Sequence, residues 1–145
     1  MSDRIENRYT GVGEPWAILK HGKPLNSRQQ ELLDKLPEYD SRVTVGKDDV
    51  SMKDLSALTA KEGVEFSMFT RGSERLVVRG DERHVNIDAN GATALNAQGY
   101  KWSGHTHVGL NLAPSAGDRL ILRHFNQATG LIYNAEGGHY LYGSD

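Results

Sequence analysis

Two histidines separated by one residue, His105 and His107, are the side chains whose spacing best suits chemistry. Residues i and i+2 of a strand project from the same face, so both imidazoles can turn toward one ion about 2 Å from each. Helical spacing would instead require i and i+4. Eleven residues past His107, beyond a Gly-Leu-Asn-Leu-Ala-Pro loop, Asp118 falls in the first turn after Ser115, a helix-capping residue. It could supply an oxygen as third ligand. Three protein donors leave one position of a tetrahedral zinc ion to water, the arrangement of a catalytic centre and not of a closed structural one, and the ion lowers that water's pKa toward about 7. The chain contains no cysteine, which excludes a thiol nucleophile, disulfides and thiolate ligands. Any metal must therefore rest on His, Asp or Glu.

Period and punctuation give the elements that position these residues. Glycines and prolines among few apolar side chains make the first two dozen residues an irregular lead-in. Ser27 with Gln30 forms a capping-box pattern ahead of Leu32, Leu33 and Leu36, and Pro37 stops it, which predicts a helix over 28–36. Val43 and Val45 mark a short strand. A second box, Ser51 with Asp54, opens another helix that Gly63 closes. From Val64 the pattern becomes alternating or continuously apolar and predicts three strands, VEFSMFT, RLVVR and HVNID. Residues 91–98 permit a short helix ended by Gly99. The stretch YKWSGHTH then reads as a strand with Lys101, Ser103, His105 and His107 on one side. DRLILRHF fits a helix or a strand, and LIYN with HYLY fits a β-hairpin.

A length of 145 residues suits one domain with a real core. The formal charge of −2 gives no reason to expect nucleic acid or an anionic membrane as partner. Arg71, Arg75, Arg79 and Arg83 are offset by Glu74, Asp81 and Glu82, so they read as a solvated face. No apolar run reaches membrane-span length, and the opening MSDRIENRYT lacks the apolar centre of a signal peptide. The expected location is the cytoplasm, or outside the cell as part of a larger carrier.

The order His105-Thr106-His107, seven residues, Ser115, two residues, Asp118 matches in full the H-x-H-x7-S-x2-D signature of the JAMM (JAB/MPN) zinc metallopeptidases. Four fixed positions of this kind arise by chance in about one chain in a thousand. The resemblance covers residues 62–143 and leaves 1–61 as an N-terminal helical lead-in within a single domain. It implies an α/β fold with a central mixed sheet flanked by helices, of the JAMM/cytidine-deaminase-like kind. It also implies a glutamate on an early strand that moves protons for the attacking water, for which Glu65 is the first candidate and Glu62 the second. Ser115 would donate to the developing oxyanion, and His105, His107 and Asp118 would hold zinc. One position departs from the pattern: Val108 stands where a proline commonly follows the second histidine.

Amide-hydrolysing relatives cut peptide or isopeptide bonds, frequently at ubiquitin-like modifiers, so the expected partner is a protein or peptide substrate. The stretches GVEFSMFTRGSERLVVRG and GYKWSGHTHVG also resemble JAB-type domains of bacterial polymorphic toxins and phage-associated proteins, which implies an immunity partner. Two other classes compete. One is a non-catalytic interaction module that keeps the fold, and the other is a metal-dependent nuclease, which would need a basic groove. The remaining histidines considered, His21, His84, His124 and His139, have no partner at ligand spacing and read as ordinary hydrogen-bonded residues. Trp16, Tyr100, Trp102, Tyr133, Tyr140 and Tyr142 read as packing residues.

Overall fold

Alternation along the strands sends neighbouring side chains to opposite sides of one sheet, and each side is covered by its own helices. The computed structural model describes residues 10–84 and 87–145. Its strands are β1 (Arg42–Gly46), β2 (Phe66–Arg71), β3 (Glu74–Arg79), β4 (Lys101–His107), β5 (Thr129–Asn134) and β6 (His139–Gly143). The described helices are α1 (Pro15–His21), α2 (Ser27–Asp34), α3 (Met52–Glu62), α4 (Ala89–Ala97) and α5 (Ala116–His124). The sheet runs in the order β1-β3-β2-β4-β5-β6. Among the described residues only the β4–β5 pair is parallel. This is the mixed sheet flanked by helices that the sequence predicts, with the His pair on an inner strand.

Met68 and Val77 pack under α1, α2 and α3 with Leu33, Leu55, Leu58 and Phe66. Their neighbours Phe69 and Val78 face the other way and pack with Leu95 of α4 and Leu122 of α5. No helix among the described residues is long and apolar enough to cross a membrane.

Several expectations are corrected. The first capping box is Asn26 with Gln29, one residue earlier than Ser27 with Gln30: the Asn26 side chain accepts from Gln29 N at 2.8 Å, and Gln29 Oε1 accepts from Asn26 N at 3.1 Å. Asn caps as well as Ser, so both registers satisfy the pattern. The lead-in holds a helix, α1, because Pro15 stands at its first position and Gly22 closes it at φ 62°. DRLILRHF is helical, its start fixed by Ser115.

The third predicted strand of the central run is absent at His84, Ile87 and Asp88, while Val85 and Asn86 lie outside the described residues. Polar side chains bond the backbone on either side: Asp81 accepts from the N–H groups of Arg83 and His84, and Asp88 caps α4 through Gly91 N. Arg79 is no solvated residue either. Its side chain is 14% exposed and donates to Leu36 O and Glu62.

Candidate metal centre

The face shared by the histidines is set by a bulge. Met68 pairs with Gly104 while the next residue, Phe69, pairs with Trp102, so Ser103 is the extra residue of β4. The shift turns Gly104 toward α3, where an added Cβ would lie 3.0 Å from Met52 Sδ. It puts Trp102, and not Lys101 and Ser103, on the side of His105 and His107. The Trp102 ring stacks on His105 with centroids 4.7 Å apart, and its Nε1 donates to Ser67 Oγ at 3.0 Å. Ser103 instead bonds to Thr70.

Thr106, between the histidines, points to the opposite side. Its hydroxyl bonds to Thr59 of α3 at 2.6 Å and accepts from Phe66 N at 2.9 Å, just where the β2–β4 ladder ends at Ser67 and His105. Past this point the two strands part, and Glu65 occupies the parting. Glu65 directly precedes β2 yet keeps the hairpin going, bonding through its backbone to Asp81 and Gly80 at 2.7 Å. Downstream, Gly109 turns the chain at φ 70°, and Asn134 holds the following loop by donating to Leu110 O.

Asp118 reaches the histidines from the first turn of α5. Its Oδ2 accepts from Ser115 N at 2.9 Å, and Ser115 Oγ accepts from Asp118 N at 3.0 Å, so the capping box also orients the carboxylate. The two Nε2 atoms lie 3.1 Å apart. His105 Nε2 is 3.2 Å from Asp118 Oδ1, and His107 Nε2 is 3.2 Å from Oδ2. Donors bound to a tetrahedral zinc at 2.0–2.1 Å sit about 3.3–3.4 Å apart, close to the separation of the two Nε2 atoms and to that of each from its own Asp118 oxygen, and one ligand atom from each of the three residues lies within 4.8 Å of the others. His105, His107 and Asp118 are the group of described residues able to hold a metal in this way. The Nδ1 atoms of both rings are buried without a hydrogen-bond partner among the described residues, as is the Tyr142 hydroxyl.

Charge is strongly constrained here. Burial lowers the His105 pKa against the opposing pull of Asp118 and so favours the neutral, ligating form. Burial alone would raise the pKa of Asp118, but hydrogen bonds from His105 and His107 outweigh it and hold the carboxyl well below its usual range. Glu65 is pushed up to about 9, first by burial and then by the Asp118 and Asp81 carboxylates.

Glu65, His105, Ser115 and Asp118 line one cavity of about 320 Å³. Glu62 does not line it. That residue ends α3 and pairs with Arg79 at 3.2 Å.

Among the other histidines, His21 meets Trp16, His124 meets Thr93 and His139 stacks on Tyr133. His84 pairs with Asp81 and, with Arg83, also lines the cavity. Sequence reasoning missed that placement, and the Trp102 stack, because both depend on how distant strands pair. No protein-family model, curated protein or solved structure matches this chain.

Proposed function

We propose that the chain is a zinc-dependent hydrolase of the JAMM type that cleaves a peptide or isopeptide amide bond in a protein substrate. The observation that carries this reading is one cavity lined by Glu65, Ser115 and two members of a ligand set, His105 and Asp118, with His107 completing the set. Zinc, when bound, would polarise the scissile carbonyl, acidify the attacking water and, as a local positive charge, draw the Glu65 carboxyl down toward working pH.

The residues divide the remaining work. His105, His107 and Asp118 hold the ion. Glu65 accepts a proton from the water as its oxygen attacks the carbonyl carbon, then returns that proton to the amine nitrogen as the carbon–nitrogen bond breaks. A carboxyl whose surroundings favour the protonated form suits the second transfer. Ser115 Oγ accepts the Asp118 N–H, which leaves its own O–H to donate to the carbonyl oxygen as charge gathers there. The products are a carboxylate and an amine.

The test is zinc content and cleavage measured together. Protein purified without chelator should carry about one zinc by plasma emission, which His105→Ala and His107→Ala abolish and His84→Ala, His124→Ala and His139→Ala keep. Glu65→Gln should keep the zinc and lose about a hundred- to ten-thousand-fold in cleavage of labelled peptides or ubiquitin-like chains. Undiminished zinc in both His105→Ala and His107→Ala, or cleavage of labelled DNA in place of amides, would overturn the reading.

A further inference from the structure

The cavity at the candidate centre is lined by Glu65, His105, Ser115 and Asp118 and, beside them, by the large apolar side chains Phe69, Ile87, Trp102, Leu120 and Ile121, with Ser67, Arg83, His84 and Asp88 adding polar wall. Phe69 and Trp102 are buried at 0% and 7% and belong to the core. Leu120 is different. Ile121, Leu122 and Phe125 are the residues by which this end of α5 packs on the sheet side, whereas Leu120 lies off that stripe, is 44% exposed, and still lines the cavity two residues from Asp118. A lone exposed leucine is ordinary on a helix, and what matters at Leu120 is that it adjoins Ile121, Ile87, Phe69 and Trp102 in one cavity lining.

Size narrows the occupant. A volume of about 320 Å³ falls at the small end of ligand pockets and suits one residue with its flanking amides better than a length of chain. Charge decides less than shape here, because Glu65 is pushed up to about 9 and Arg83 and His84 stand in the lining against Asp88 and Asp118, so the large apolar side chains are what set the preference.

We propose that this cavity selects the residue next to the scissile amide and takes an aromatic or branched aliphatic side chain, with the amide carbonyl beside His105 and Asp118. The placing of the amide rests on the hydrolase reading, while the preference for an apolar side chain rests on the cavity wall.

Fluorescence separates the two. The chain has two tryptophans, so Trp16→Phe leaves Trp102, in the cavity wall, as the reporter. Titrating this protein with N-acetyl-L-phenylalaninamide should give a saturable change at least about ten-fold tighter than N-acetylglycinamide or N-acetyl-L-aspartamide, the ratio expected for burying one aromatic side chain. Leu120→Glu, at a position exposed enough to accept a charge, should remove that advantage while keeping zinc. Leu120→Gln serves the same purpose if the charged variant fails to melt cooperatively. Equal binding of the three amides, or an advantage unchanged in a folded Leu120 variant, overturns the proposal whatever the hydrolysis result. Selective binding with no cleavage of any amide supports the cavity preference and counts against the hydrolase reading alone.

Discussion

Glu65 shows at the scale of one residue what the site costs the fold. Its carboxyl is buried, has no hydrogen-bond partner among the described residues, and is pushed by burial from 4.5 up to about 9. A carboxyl whose pKa is raised on folding contributes its stability below the unfolded value and loses it as pH climbs toward the folded one. The window here runs from 4.5 to about 9. Metal-free protein should therefore lose on the order of 2 kcal/mol between pH 5 and pH 7, as the unfolded chain ionises and the folded one does not. Thermal melting in chelator should show this slope flattened in Glu65→Gln and the variant melting higher at pH 8. An equal slope in the variant would assign the effect to another group. The ligands were legible as residue types because His105, His107 and Asp118 lie close in sequence at spacings that strand and helix-cap geometry make meaningful. Glu65 was reached through the family resemblance, since a lone acid on a half-buried strand signals nothing by itself.

At the scale of elements, the capping signals at Ser51 and Ser115 read correctly because a cap is a contact across three residues. The bulge at Ser103 did not, because it exists only in the pairing of β4 with β2, and plain alternation placed Lys101 and Ser103 beside the histidines. That His84, Ile87 and Asp88 are not in a strand has a similar cause: the Asp81 and Asp88 carboxylates bond nearby backbone locally. Thr106 gives the prediction at this scale. Thr106→Val keeps the volume but strips Phe66 N–H and the Thr59 hydroxyl of their partner in a buried seam. Denaturant unfolding should show a loss of about 1–3 kcal/mol. Zinc should remain, because the change lies on the side of β4 facing away from the ligands, whereas a loss of metal equal to that of His105→Ala would show that the seam also sets the ligand face.

Across the whole molecule, the residues before Glu62 are more than a preface. Helices α1, α2 and α3 cover the middle of one side of the sheet, and Arg28 and Gln29 of α2 both bond to the buried Asp54 in the first turn of α3. A chain beginning at Glu62 would bare Phe66, Met68 and Val77, which the intact protein holds at 7% exposure or less. Such a fragment should show no cooperative melting by circular dichroism, while the full 145 residues do. A cooperative transition in the fragment would mean that the other helical layer suffices.

The parallel pairing of β4 with β5 bears on how the residues of the site are tied together. After His107 the chain must cross through α5 before returning as β5, so all three donors fall between positions 105 and 118. Closing a loop that short costs less entropy than the forty-residue contact that brings Glu65 to the same cavity. The three side chains that could hold an ion are thus tied together by a far shorter stretch of chain than the one that ties Glu65 to them, so a change in the long connection can disturb Glu65 and leave the trio in place.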